Sequence, residues 1–165
     1  YLYDFGNFHY VEVDMVASMT RLCEKLKVRS VTTFSSIDTL VENAKPYSKE
    51  EIKSRSDGAP IGWWGMLTEI QNIMALKELA VTDNSRMIPF VRIFQPCNII
   101  TEEIRYGWMD WTIFKIHPWI DPWLPTKYHS VHVTLLGMAM VRDAIRLLSG
   151  TNTEEKHGAT RFTYG

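Results

Sequence analysis

The sequence predicts an α/β fold in which repeating β/α units surround a mainly parallel sheet. Five short apolar or β-branched segments alternate with amphipathic helical patterns along the 165 residues. The connections between these segments are short, which favours parallel strands joined by right-handed crossovers. A chain of this length that is 45% hydrophobic suits a single domain over 1–165, with an irregular insertion at about 37–62.

Two architectures fit this order of elements. The length suits an open, five-stranded, doubly wound sheet of the flavodoxin-like kind. A complete (β/α)₈ barrel typically needs ~250 residues, so the alternative is a partial TIM-barrel-like arrangement. Length favours the doubly wound sheet, whereas the local sequence motifs favour the partial barrel.

The first unit is a strand followed by an amphipathic helix. Residues 2–5 predict the strand, and Gly6-Asn7 interrupts the run. Apolar side chains then recur at helical spacing over about 12–27, with Arg21, Glu24 and Lys25 on the opposite face. The apolar positions are Met15, Val16, Met19, Leu22, Cys23 and Leu26.

The second unit contains the insertion. Residues 31–34 are β-branched or aromatic and predict a strand. Inside the insertion, residues 37–43 suit a short helix, and Ser48 is typical of an N-cap because Glu50 and Glu51 follow it. A longer helix is predicted over about 63–81. Its apolar side contains Trp63, Met66, Leu67, Ile70, Ile73, Met74 and Leu79.

Three further strands complete the pattern. A third strand over 87–94 should enter the sheet late because Pro89 lacks a donor. Thr101 suits the N-cap of a short helix, residues 112–116 predict a fourth strand, and residues 160–163 predict a fifth. Between the last two strands lies the clearest helix, which Gly150 should end. One face of this helix contains Val131, Leu135, Met138, Ala139, Ile145 and Leu148.

The end of the predicted fourth strand is the strongest site candidate. Lys115 and His117 stand there, directly before Pro118. In parallel sheets, the groups that bind substrates gather at the carboxyl ends of strands. Trp119 and Trp123 would wall a pocket for an aromatic or planar ligand, and Asp121 adds a loop carboxylate. This pattern predicts a small-molecule site.

Composition excludes several other functions. A net charge of −1, without a dense basic patch, argues against nucleic acid and anionic membranes as partners. Cys23 and Cys97 are too few and too far apart for a disulfide framework. No apolar run is long enough for a membrane span, and the N-terminus lacks a signal-peptide pattern. We therefore expect a cytoplasmic protein.

Two motifs resemble the amidohydrolase-type metal-dependent hydrolases, in particular the branch that includes aromatic-acid decarboxylases. The segment 86–92, with Pro96, is similar to the family's third strand, Arg-x-x-Pro-Phe-x-Arg-x-x-x-Pro. The segment 114–118 is similar to its fourth strand, Gly-x-Lys-x-His-Pro. The resemblance covers nearly the whole chain, but only the first five β/α units of a barrel. Asn7 and His9 stand where the family has a His-x-His metal pair.

The resemblance implies a hydrolase or decarboxylase acting on a small carboxylate-bearing or aromatic compound. Lys115, His117 and Asp121 would be the catalytic groups, and Arg92, Trp119 and Trp123 would bind the substrate. His9 and Asn7 would hold a divalent metal such as zinc. A catalytic zinc needs three protein ligands, so the alternative is a site without a cofactor.

Two other hypotheses fit the same residues. The first is a noncatalytic binding or assembly unit, because a partial barrel leaves sheet edges that pair with a second copy or another chain. The second is a flavodoxin-like module that binds a nucleotide or flavin.

Overall fold

The computed structural model describes residues 4–55, 62–100, 115–116, 118–150 and 158–163. Within these ranges, the chain contains both helices and strands. The helices are α1 (Phe5–His9), α2 (Val16–Lys25), α3 (Lys49–Arg55), α4 (Trp63–Asp83) and α5 (Val133–Ser149). The strands are β1 (Ser30–Phe34), β2 (Phe90–Gln95), β3 (Asn98–Ile100), β4 (Ser130–His132) and β5 (Gly158–Thr163).

The strands form two parallel sheets. The larger sheet has the order β1-β2-β5, with Val31 opposite Val91 and Val91 opposite Ala159. The smaller sheet pairs β3 with β4. The predicted mixed α/β class with mainly parallel strands is therefore confirmed. The described strands do not close into a barrel.

The apolar core lies between the larger sheet and α4. Val91 and Ile93 of β2 pack with Val81 of α4 and with Ile88, and all four are almost fully buried. Because side chains alternate along a strand, Val91 and Ile93 face the same side of the sheet. Helix α2 reaches this core through Val16 and Cys23. Helices α2 and α4 therefore cover one face of the sheet.

The opposite face of β2 meets α5. Arg92 lies between Val91 and Ile93 and so points away from α4. Its Nε lies 3.4 Å from the carboxylate of Asp143 on α5. Helix α5 ends at Gly150, whose φ of 66° is the left-handed conformation that glycine adopts readily. The predicted end of this helix is confirmed.

Several predicted boundaries are also confirmed. Strand β2 begins at Phe90, directly after Pro89, as its missing donor indicated. Ser48 caps α3 reciprocally with Glu51: the Glu51 backbone N–H donates to Ser48 Oγ, and the Ser48 N–H donates to the Glu51 carboxylate. The short helix predicted over 37–43 is wrong over 37–40, because the structure has only a 3-10 turn, Val41–Asn43, in this part of the insertion.

The predicted first strand is wrong where it can be compared. Residues 2–3 lie outside the described residues, and Phe5 begins α1 instead of ending a strand. Asp4 explains the difference, because its carboxylate accepts hydrogen bonds from the backbone N–H and side-chain amide of Asn7. This N-cap starts a helix at the position where Gly6-Asn7 was expected to break the chain. A π-helical stretch, Tyr10–Met15, then joins α1 to α2.

The predicted fourth strand is also wrong at its end. Lys115 and Ile116 are helical, whereas residues 112–114, His117 and the helix predicted from Thr101 lie outside the described residues. A short apolar run does not distinguish a strand from a helix by periodicity alone. Val131 belongs to β4 rather than to the helix that follows it.

Candidate functional site

A polar network joins α4 to the carboxyl ends of two neighbouring strands. Glu78 on α4 is fully buried. Its two carboxylate oxygens accept hydrogen bonds from Gln95 Nε2 and from Arg161 Nε, both at 2.8 Å. One donor is charged, so the buried carboxylate is compensated. This arrangement fixes α4 against β2 and β5.

The adjacent Lys77 is a second buried charge at the same helix. Its side chain is 3% exposed, and Nζ lies 2.6 Å from the carboxylate of Glu12. The ammonium also lies 4.2 Å from the ring centroid of Phe34, which is the last residue of β1. The ion pair and the cation–π contact together offset the cost of burying the ammonium.

Arg92, a predicted substrate-binding residue, is buried on the other face of the sheet. It is 2% exposed, and its guanidinium lies 5.6 Å from the ring centroid of Phe90 and 5.5 Å from that of Phe162. Phe162 also stacks on Phe94, with centroids 4.9 Å apart. This face therefore combines one cation with three aromatic rings, and Asp143 is the carboxylate beside the cation.

The described residues of the predicted catalytic strand end lie at the surface. Lys115 is exposed, and Trp119 and Trp123 are 82% and 87% exposed. Asp121 has a structural contact, because its Oδ1 accepts a hydrogen bond from the backbone N–H of Ser130 at the start of β4. His117 lies outside the described residues. The roles predicted for these residues, including the two tryptophans as the walls of a pocket, stay predictions.

The two residues predicted to hold a metal diverge on α1. His9 is 7% exposed, and its Nδ1 lies 3.6 Å from the carboxylate of Asp14. Asn7 is exposed and donates to Asp4. Residues two apart on a helix do not share a face. In the part of the chain that the structure describes, no three His, Cys, Asp or Glu residues are grouped as metal ligands, and the predicted metal site stays a prediction.

A polar junction connects the loop after β1 with the segment before β4. Asp38 accepts hydrogen bonds from Tyr128 Oη at 2.6 Å and from Lys127 Nζ at 3.1 Å. The Tyr128 hydroxyl, and then Lys127, hold the pKa of Asp38 below its ordinary value. Burial, followed by the charges of Asp38 and Asp121, raises the pKa of the Cys97 thiol. This thiol is therefore a weak nucleophile at neutral pH.

An open groove of about 1240 Å³ lies between α4 and the segment from Asp38 to α3. Tyr47, Arg55 and Glu69 line one part of it. Arg55 pairs with Glu69, and its guanidinium lies 5.3 Å from the ring centroid of Phe5 and 5.2 Å from that of Tyr47. The guanidinium of Arg55 is thus already engaged. The sequence-based predictions named none of these residues.

Helix α2 exposes much of the apolar face that the sequence predicted for it. Met19 and Leu22 within α2 are 66% and 54% exposed, and Met15 and Leu26, which flank the helix directly, are 49% and 68% exposed. We call these four residues the α2 stripe. The side of the helix that packs inward presents Val16, Thr20 and Cys23 instead.

Helix α5 shows the same arrangement. Its inward side includes Leu147, which is 7% exposed, and the partly buried Leu136 and Met140. The opposite side carries Leu135, Met138, Val141, Ile145 and Leu148, which are 45–68% exposed. A helix that is apolar on both sides is normally covered on both sides.

In comparisons with known proteins, no family model, curated protein or solved structure matches the chain. Among the described helices, none is both long and apolar enough to cross a membrane.

The sequence-based predictions did not name Lys77 and Glu78 as site residues. Two charged residues inside the apolar pattern of α4 could have indicated them.

Proposed function

We propose that this chain is a noncatalytic assembly unit that binds a second copy or another protein through exposed apolar helix faces. One observation carries the proposal: α2 and α5 each direct a row of large apolar side chains into solvent. Contiguous apolar patches of this kind mark interaction surfaces in proteins.

The sheet supports the same function. In the described sheet, β1 and β5 are the two outer strands. Outer strands offer backbone donors and acceptors that proteins normally cover. The charged groups of the interior are in contact with opposite charges, as at Lys77, Glu78 and Arg92, and such groups hold a fold together without needing a ligand.

Sedimentation velocity across a wide dilution series tests this function. We expect the purified chain to associate, with an average mass that falls on dilution. A well-folded particle that stays monomeric at every concentration would contradict the proposal and would favour the doubly wound, self-contained alternative.

A second candidate is the amidohydrolase-type function on a partial barrel, and the surroundings of Arg92 favour it. A guanidinium among the rings of Phe90, Phe94 and Phe162 suits a small aromatic carboxylate, which would compete with Asp143 for the cation. Lys115, His117 and Asp121 would then supply acid–base groups from the following segment.

Metal analysis and calorimetry test this second candidate. The purified chain should bind benzoate, and Arg92→Met should abolish the heat of binding while the chain stays folded by circular dichroism. Bound zinc, with activity lost on chelation, would support the metal-dependent version. A chain without metal whose benzoate binding is unchanged in His9→Ala and Lys115→Ala would exclude it.

A further inference from the structure

We infer that two copies of this chain pair through the α2 stripe, antiparallel and about a two-fold axis. This inference rests on the proposed assembly function and names its partner, a second copy, and its surface. The stripe residues are spaced by four, three and four positions, which is the spacing of a helix–helix seam. They lie opposite the inward side of α2, so a second helix has access to them.

A row of polar residues runs along one side of the stripe. Asp14, Ser18, Arg21 and Lys25 each precede a stripe residue by one position, and all four are exposed. The acidic residue lies at the amino end of this row and Lys25 at the carboxyl end. Inward-facing residues such as Thr20 and Cys23 border the other side. The charge pattern is thus one-sided and changes sign along the helix.

This pattern complements itself only in an antiparallel pair. An antiparallel pair brings like sides of two helices together, so the polar row meets its own copy in reverse order. Met19 then lies opposite Leu22 of the second copy, and Met15 opposite Leu26. Asp14 comes near Lys25 of the second copy, which gives two opposite-charge contacts related by the two-fold axis. A parallel pair would place each polar row against the inward-facing border.

An aspartate in the stripe tests the surface directly. Met19→Asp places a charge at the centre of the seam, and we expect the dimer Kd to rise at least about a hundredfold in sedimentation velocity. Trp64→Asp on α4 is the matched control, because Trp64 is 79% exposed and Met19 66%, and Trp64 lies on neither the α2 stripe nor α5. The control should leave the Kd unchanged, and circular dichroism should show both variants folded.

Charge reversal tests the orientation. Asp14→Lys and Lys25→Asp should each weaken the dimer about fivefold, because each creates like-charge contacts. The double variant restores opposite charges across the two-fold axis, so its Kd should return to that of the wild type. Two single effects that simply add in the double variant would overturn the antiparallel arrangement.

The outcomes separate this inference from the assembly function. If the wild type associates, but Leu148→Asp, a variant of the exposed apolar row of α5, weakens the association and Met19→Asp does not, the α2 pairing fails and the assembly function stands. If the wild type is monomeric throughout, both fail. A monomer that binds anionic lipid vesicles through Met19 would show that a membrane, and not a second copy, covers the stripe.

Discussion

Helices α4 and α2 cover the same face of the sheet, but they differ in which side chains they bury and which they expose. α4 buries Lys77 and Glu78, whereas α2 leaves Met19 and Leu22 more than half exposed. Each buried charge on α4 has an opposite charge close by. The polarity of a side chain alone therefore does not decide whether it is buried. A charged side chain is buried where an opposite charge lies beside it, and an apolar side chain is exposed where it faces away from the sheet.

The strongest test of this contrast removes the partner of a buried charge. Glu12→Gln leaves Lys77 buried without its carboxylate and should lower the free energy of unfolding by about 3 kcal/mol. Lys77→Met in the same chain should restore most of that loss. Urea denaturation measures both, with the exposed Glu50→Gln as control. Equal stability of Glu12→Gln and Glu50→Gln would mean that the ion pair contributes nothing.

Glu78→Gln should have the next largest effect. The variant weakens the hydrogen bonds from Gln95 and Arg161, and a hydrogen bond to a charged group contributes about 2 kcal/mol. Arg161 is 42% exposed and regains water, which limits the loss. The same denaturation series measures it. A loss no greater than that of Glu50→Gln would show that α4 is held by apolar packing alone.

Adjacent residues on α2 separate its two sides. Val16→Asn places an amide against the core and should cost about 2 kcal/mol of stability. Met15→Asn lies on the stripe and should change the free energy of unfolding by less than about 0.5 kcal/mol in dilute, monomeric protein. Comparable losses in both variants would mean that something within the chain covers the stripe.

The smallest effect concerns the junction at Asp38 and depends on pH. In the folded chain the pKa of Asp38 lies below its ordinary value of 3.8. The contacts of its carboxylate therefore stabilise the fold above about pH 4. This stabilisation is lost as the pH falls through the pKa of the folded state. Asp38→Asn should cost less than about 1 kcal/mol at neutral pH, and the difference from the wild type should vanish in acid. A difference that grows in acid would reverse the assigned direction.

The regular part of the fold followed from local patterns. β-Branched runs located β1 and β5, Pro89 placed the start of β2, and Ser48 and Gly150 set helix ends. The failures have a shared cause: Asp4 as an N-cap outweighed a β-like run at α1, and the apolar run ending at Lys115-Ile116 proved helical at its end. Short segments are decided by a single capping or tertiary contact, which periodicity does not contain.

The candidate site was less predictable than the fold. Arg92 was named as a binding residue, and one of the rings beside it, Phe162, comes from β5, far along the chain. Trp119 and Trp123 are exposed, and their expected role as the walls of a ligand pocket stays a prediction. The spacing of two tryptophans along the sequence does not indicate which residues face them in the folded chain.

The α/β class and the apolar periodicity of α2 follow from the amino-acid sequence, because they depend on residues close together along the chain, and the short connections between the predicted elements indicated parallel strands. Tertiary structure alone decided which side of α2 faces the core and which charges are buried. Glu12 and Lys77 are separated by 65 positions, and Glu78 and Arg161 by 83. Contacts over such separations exist only once the sheet is assembled, and they leave the α2 stripe exposed.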